Sequence, residues 1–274
     1  MHRILITGRG TSGSWKIRGE QLGRAIGADA IPQASIEQLA GREKTIIVKK
    51  PLLNIADVQG VRIWDVVDYW PQPDGNSWTR ERLIDHVKMT ADAMRIDYVV
   101  AATEQMRQDI GADFTLYHHY RPNIALNPIR ERMSLIGYEG SPKYLGKWLK
   151  VIQEECQIRG MGFLVNPANI ADVDVIVAFR DSQWKGYATD NWKSNVKLGN
   201  AKGSGTPIIC NREAGYLETA SGGELFADSP QEFIAALNRL EHRSEREYCS
   251  KLLRDKAYSV DMAARDYLQW IRSL

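Results

Sequence analysis

One stretch, residues 193–218, constrains the fold of this chain more than any other: KSNVKLGNAKGSGTPIICNREAGYLE. Its first ten residues, 193–202, fit a helix that stops at Gly203 and Gly205, because glycine and serine end helical periodicity at little cost. Residues 206–210, TPIIC, then form the short apolar run typical of a buried parallel strand. The order of helix, glycine turn and buried strand predicts an α/β domain built on a parallel sheet.

The start of this predicted helix is a candidate anion site. Lys193 and Ser194 stand beside the first backbone amides of the helix, and a helix N-terminus favours negative charge. Lys197 lies four residues after Lys193 and hence on the same helix face. We therefore expect a phosphate-bearing ligand here.

Two motifs in the stretch resemble the donor half of GT-B glycosyltransferases. Gly-Thr-Pro follows a helix that ends near Asn200, and the sequence AGYLE ends at Glu218. In that family a nucleotide-sugar lies between two Rossmann-like domains, so the resemblance implies a hexosyltransferase with a UDP-sugar as its donor and no other cofactor. Many retaining members carry two glutamates eight residues apart, where this chain has Trp192 and Asn200, so the stereochemical course stays open.

A second motif lies at the N-terminus, where an apolar strand over residues 3–7 precedes Gly8, Gly10 and Gly13. This spacing before a helix, predicted over residues 14–26, matches a dinucleotide fingerprint. The acidic residue expected about 20 positions further on is poorly matched, because Asp29 comes early. The loop therefore has three interpretations: an NAD(P) site, a turn without a ligand, or an approach of Gly10 and Gly13 to a sugar or phosphate.

The residues after this loop also resemble the Gly-Ser…Arg opening of GT-B acceptor domains. The resemblance implies that Ser14, Trp15 and Arg18 contact the acceptor.

A carboxylate and several aromatic residues follow the predicted strand over residues 62–67. Asp68 is the favoured general base, because the carboxyl ends of parallel strands face the ligand in α/β proteins. Asp65 would point to the opposite face of the strand. The loop that follows can either stack on an acceptor or fill the core of its own domain; its candidate acceptor contacts are Tyr69, Trp70, Asp74 and Trp78.

Two histidines are alternative catalytic groups. His118 and His119 follow a predicted strand over residues 114–117, one facing solvent and the other a site. No third ligand has suitable spacing, so we expect no metal there.

The cations available for a leaving diphosphate are Arg180, Lys185, Lys193 and Lys197. Arginine suits bidentate phosphate contacts, whereas lysine acts as a point charge. The alternative is a solvated basic face. A diphosphate held by these cations and by helix amides does not require a metal ion, so we expect transfer without one.

At 274 residues the chain can form two domains of ordinary size. We place a Rossmann-like acceptor domain at 1–125 and a Rossmann-like donor domain at 126–274, with their parallel sheets facing a central cleft. The last helix, with Tyr267 and Trp270, either crosses back to the first domain or packs within the second. Three unpaired cysteines and the lack of an apolar segment of membrane length favour a cytoplasmic protein without membrane insertion.

Three functional classes are compatible with these residues: a glycosyltransferase, an NAD(P)-dependent oxidoreductase and a non-catalytic binding protein with two lobes. For a transferase, the mixture of cations and aromatics around Asp68 allows a hydroxymethylated pyrimidine in DNA as the acceptor. The net charge of +2 argues against a large DNA footprint, so a glycan or a small molecule is the alternative acceptor.

Overall fold

The computed structural model describes residues 4–274, so Arg3 of the first predicted strand lies outside the described residues. In chain order the strands are β1 Ile4–Gly8, β2 Asp29–Ala30, β3 Lys44–Val48, β4 Val61–Asp65, β5 Tyr98–Ala101, β6 Phe114–Thr115, β7 Leu135–Tyr138, β8 Gly162–Val165, β9 Val175–Ala178, β10 Ile208–Cys210 and β11 Leu225–Phe226. The helices are α1 Leu22–Ala25, α2 Ile36–Leu39, α3 Arg80–Ala93, α4 Glu104–Ile110, α5 Lys147–Ile158, α6 Tyr187–Asn191, α7 Val196–Ser204, α8 Ala214–Glu218, α9 Pro230–Glu241, α10 Arg243–Asp255 and α11 Val260–Ser273. A π-helical segment, Trp15–Gln21, leads into α1.

The first compact unit contains the residues up to His118 together with Gly186–Ser194 and Val260–Leu274. Its six strands pair in parallel in the order β2-β1-β3-β4-β5-β6. Ala188 and Trp192, from the middle of the chain, belong to the same buried cluster as Trp64 and Leu83. The segment 186–194 is therefore part of the core of this unit.

The second unit contains His119–Lys185 and Asn195–Ser259. Its five parallel strands pair in the order β11-β10-β9-β7-β8. In both sheets the first strand lies between the second and the third, so the order reverses between β1 and β3 and again between β7 and β9. The crevice outside the carboxyl ends at such a reversal is where open α/β sheets bind ligands.

The expected class, α/β with two parallel sheets, is confirmed. The compact units divide the chain at other places than the expected boundary after residue 125. The physical reason is burial: Trp192 contributes to the core of the first unit, although no local pattern marks it as different from its neighbours in sequence. The last helix, α11, also belongs to the first unit, which is one of the two placements expected for it.

The central helix also begins later than predicted, at Val196 rather than Lys193. Lys193 and Ser194, which precede the helix, bond instead to the Asp68 carboxylate. The sequence suggested that Lys193 and Lys197 share a helix face. Lys193 lies before the helix, so they do not. The helix ends at Ser204, two residues later than predicted, and Gly205 caps it in the left-handed region with φ +70°.

Candidate functional site

In the second unit, a buried ion pair lies at the carboxyl edge of the sheet. Arg180 follows β9, and its Nε donates to Oε1 of Glu213, which follows β10, at 3.1 Å. Asn211 Oδ1 accepts the Arg180 backbone N–H at 2.7 Å and fixes this strand end. Burial lowers the pKa of Arg180, but the charge of Glu213 outweighs it and raises the pKa above its usual range. Arg180 is thus a permanent cation held in a defined orientation.

A second cation lies over Tyr138, the last residue of β7. The Lys197 ammonium is 4.3 Å from the centroid of that ring, within cation–π range. Burial raises the pKa of Tyr138 to about 12, so its hydroxyl is neutral at physiological pH. Tyr138 ends β7 and Arg180 follows β9, the two strands between which the strand order reverses.

Asn200 occupies the position where the resembled family carries a glutamate. Its Oδ1 accepts the Arg121 backbone N–H at 3.0 Å, and its Nδ2 donates to Glu139 Oε2 at 3.2 Å. The Arg121 guanidinium donates to the other oxygen of Glu139 at 2.6 Å. A carboxylate is therefore present here, but Glu139 supplies it.

The other predicted donor contacts lie on separate features. The Lys185 ammonium lies 3.7 Å from Asp228 Oδ1, and Glu218 is the exposed last residue of α8. A cavity of about 600 Å³ is lined in part by the residues that come directly after Arg180 in the sequence. Its lining residues are Gly146, Lys147, Asp181, Ser182 and Gln183.

In the first unit, Asp68 is buried among hydrogen-bond donors. Ser194 Oγ and N donate to its Oδ1 at 2.6 and 3.2 Å, and Lys193 Nζ donates to its Oδ2 at 3.0 Å. The Lys49 ammonium lies 3.7 Å from the same Oδ2. Burial alone would raise the pKa of Asp68, but Lys193, Lys49 and the Ser194 hydrogen bond hold it far below its usual range. Such a carboxylate is a weak proton acceptor at neutral pH.

Trp15 and Arg18 do not fit the expected role of contacting an acceptor, because each is only 1 % exposed. Trp15 donates its indole N–H to Glu20 at 3.0 Å. The Arg18 guanidinium lies 3.6 Å from Asp65 and donates to the Leu116 carbonyl. A tryptophan and an arginine after a glycine loop suggest a ligand contact in sequence, but these two fill the core.

The glycine loop after β1 is shaped by close contacts. A Cβ on Gly8 would lie 2.8 Å from the Val48 carbonyl oxygen, and one on Gly10 would lie 2.7 Å from Pro32 Cβ. A Cβ on Gly13 would meet no atom of the described residues within 4 Å. Ser14, which follows, is half-buried. Gly8 and Gly10 are thus required by packing of the protein itself.

The aromatic loop after Asp68 is mostly in contact with its own unit. Tyr69 is buried, and Trp70 and Trp78 pack against the core from half-buried positions. The Arg82 guanidinium lies 3.9 Å over the Trp78 ring. Asp74 is exposed. The core interpretation therefore holds for Tyr69, whereas stacking of Trp70 and Trp78 on an acceptor stays a prediction.

The two histidines are both buried, so the expectation that one of them faces solvent is wrong. His118 lies close enough to Asp68 to lower the pKa of that carboxyl. His119 belongs to the second unit, where its Nδ1 lies 2.8 Å from the Tyr120 carbonyl oxygen.

Sequence reasoning missed Asp109, which anchors the segment 186–194. Its Oδ2 accepts the Tyr187 hydroxyl and the Trp192 indole N–H, both at 2.7 Å, and its Oδ1 accepts from Arg80. Burial raises the pKa of Asp109, but these hydrogen bonds outweigh it and lower the pKa. Within a helix, Asp109 reads as an ordinary surface acid, so no local signal identifies it.

Within residues 4–274, no group of three or more His, Cys, Asp or Glu side chains is arranged to hold a metal ion. No helix in that part of the chain is long and apolar enough to cross a membrane.

Comparison with known proteins identifies the fold. No family model matches the sequence, and no curated protein matches it. The chain superposes over 100 % of its length on all of Alr3699/HepE from Anabaena, solved with UDP and glucose, with a TM-score of 0.68 and 10 % identity. The lipopolysaccharide outer core galactosyltransferase WaaB matches 99 % of both chains with a TM-score of 0.59 and 12 % identity. AviGT4, a glycosyltransferase involved in avilamycin A biosynthesis, covers 100 % of this chain with the same score and identity. The chain has the GT-B glycosyltransferase fold, as its motifs implied.

Proposed function

We propose that this chain is a glycosyltransferase that transfers a sugar from a UDP-sugar to an acceptor hydroxyl. The observation that carries the proposal is the pair of cations, Arg180 and Lys197, at the strand reversal of the second unit. The solved structure of HepE with UDP, which shares this fold, supports the choice of nucleotide. In this proposal Arg180 and Lys197 neutralise the leaving diphosphate as the bond to the sugar breaks.

The proton of the acceptor hydroxyl requires a base in this reaction. We assign this role to His118, because its charge acts on Asp68 and because the low pKa of Asp68 makes that carboxylate the weaker acceptor. Asp68 then stabilises the imidazolium that forms. We further propose that no metal ion takes part, since two protein cations can offset the diphosphate charge; chelation with EDTA then leaves the rate unchanged.

Calorimetric titration with UDP and UDP-glucose tests the donor. The wild type binds both, and Arg180→Ala and Lys197→Ala each weaken binding by about tenfold or more, since each removes a charge-assisted contact. Lys150→Ala is the matched control, because Lys150 is an exposed lysine of the same unit whose ion pair with Glu154 lies at the surface. Unchanged UDP affinity in both site variants contradicts the assignment.

The oxidoreductase alternative is less well supported. The first sheet has the order β2-β1-β3-β4, which differs from the 3-2-1-4 order typical of dinucleotide-binding domains, and Asp29 is paired with Arg42. Tight NADH binding in the same calorimetric experiment would favour this alternative. A two-lobed binding protein would bind UDP-glucose without hydrolysing or transferring the sugar.

For the acceptor, we favour a glycan or a small molecule over DNA, because Trp15 and Arg18 are buried and cannot hold a flipped base. Labelled sugar supplied with hydroxymethylated and ordinary duplexes, at low and moderate salt, tests the DNA alternative. Incorporation into the hydroxymethylated duplex alone would establish it.

A further inference from the structure

Lys49 lies at the edge of the first sheet where open α/β sheets generally bind ligands. It directly follows β3, and β1 and β3 are the strands between which the strand order reverses. Lys49 has φ +64° and Val67, just before Asp68, has φ +68°. Residues other than glycine rarely adopt backbone angles in this left-handed region, and such conformations cluster at functional sites. The backbone at Lys49 and the backbone just before Asp68 are therefore both held in an unfavourable conformation.

The carboxylate beside Lys49 is shared with three other donor groups, so Lys49 has only a long contact with it. Oδ1 of Asp68 accepts two hydrogen bonds from Ser194, and Oδ2 accepts from Lys193 at 3.0 Å and from Gln72 at 3.4 Å. An ionised carboxylate offers about four acceptor positions. The Lys49 ammonium, at 3.7 Å, is within ion-pair range but beyond an ordinary hydrogen bond.

The local charges do not balance. Among residues 4–274, the ion pairs of Lys49, Lys193 and Arg18 involve only two carboxylates, Asp68 and Asp65, which leaves one positive charge in excess. The side chains of Lys49 and Lys193 are each 22 % exposed, so neither is fully shielded from solvent. A partly buried cation without a full set of partners is costly, and an added anion removes that cost.

We propose that Lys49 and Lys193 bind an oxyanion, a phosphate or carboxylate group carried by the acceptor substrate. The inference rests on the proposed function and extends it, because it restricts the acceptor to an anionic molecule. The donor diphosphate is assigned to Arg180 and Lys197 of the other unit. The sugar of this enzyme is therefore transferred to a hydroxyl that lies near a negatively charged group.

Amine labelling tests this site without the need for the natural acceptor. Lysine modification is followed by fragment-resolved mass spectrometry in the presence of inorganic phosphate, acetate, UDP or chloride at equal ionic strength. When phosphate or acetate is present at ten times the dissociation constant of that anion, the labelling of Lys49 slows about elevenfold. The reason is that the fraction of protein without bound anion falls as 1/(1 + [L]/Kd). Lys50, the exposed neighbour, is the internal control and keeps its rate. Lys193→Met abolishes the protection of Lys49.

The outcomes separate this inference from the proposed function. Equal Lys49 labelling in phosphate, acetate and chloride overturns the anion site. Protection by UDP as strong as that by phosphate assigns the anion to the donor and overturns the acceptor-side role. If phosphate protects Lys49 but UDP fails to bind in calorimetry, the anion site stands and the glycosyltransferase proposal fails.

Discussion

Ser194 Oγ donates a 2.6 Å hydrogen bond to Asp68 Oδ1, although the two residues are 126 positions apart in the chain. The bond joins the end of the segment 186–194 to the strand end after β4. Lys193 reinforces it with an ion pair to the same carboxylate. Asp68 is thus an anchor for a distant segment as well as a member of a charged cluster.

We expect Asp68→Asn to destabilise the protein by about 3–5 kcal/mol, because it leaves two partly buried ammonium groups without their carboxylate. Urea unfolding at pH 7 measures this loss. Asp74→Asn, on the exposed loop of the same unit, is the control and changes stability little. Equal losses in both variants would contradict the anchoring role.

Because Asp68 has a lowered pKa, we expect the free energy of unfolding to depend on pH in the acid range. The pKa of Asp68 is lowered in the folded protein, so its contribution is present above the unfolded pKa of about 3.9 and is lost as the pH falls toward the folded value. The unfolding free energy of the wild type should therefore decrease when the pH is lowered below about 4. Asp68→Asn should make this decrease less steep. Denaturant titrations at several acid pH values measure both slopes, and parallel curves would exclude Asp68 as the cause.

Asn200→Glu should not recreate the glutamate of the resembled family. The Asn200 amide donates a hydrogen bond to Glu139 at 3.2 Å. In the variant this bond is lost, and the new carboxylate lies beside the like charge of Glu139. We expect a loss of about 1–3 kcal/mol in unfolding free energy, as for a buried group left without its partner. Adding Glu139→Gln should restore most of this loss. Failure of the double variant to recover would show that size, and not charge, causes the effect.

The glycine loop offers a matched pair of variants. Gly8→Ala should destabilise the first unit by about 1–3 kcal/mol, because the added Cβ would lie 2.8 Å from the Val48 carbonyl oxygen. Gly13→Ala should be neutral or slightly stabilising, since its Cβ meets no atom of the described residues within 4 Å. Thermal unfolding compares the two. Equal melting temperatures would mean that the loop relaxes around Gly8 without cost.

Trp192→Phe should destabilise the first unit by about 1–3 kcal/mol, because it removes the 2.7 Å indole hydrogen bond to the buried Asp109 carboxylate. Trp184→Phe is the matched control, since its indole bonds to a backbone carbonyl at a half-buried site in the second unit. Hydrogen exchange of α4 and the segment 186–194 reports the effect. Unaltered protection of the segment in Trp192→Phe would contradict its anchoring by Asp109.

The sequence by itself determined the features that depend on neighbouring residues. Short apolar runs such as the one at β9 predict buried parallel strands, and a glycine after a helical run predicts the left-handed cap seen at Gly205. The position of Arg180 at the carboxyl edge also follows from the strand that precedes it. These features are local because backbone propensity and hydrophobic period act over a few residues.

Only the tertiary structure decided which distant groups meet. The sequence predicted that Lys193 binds the donor diphosphate and that Arg18 contacts the acceptor, but the fold pairs Lys193 with Asp68 and buries Arg18 against Asp65. It also places Trp192 in the core of the first unit, far in sequence from its neighbours there. Hydrogen bonds and burial between remote residues leave no periodic pattern in the chain, because their energies depend on three-dimensional proximity alone.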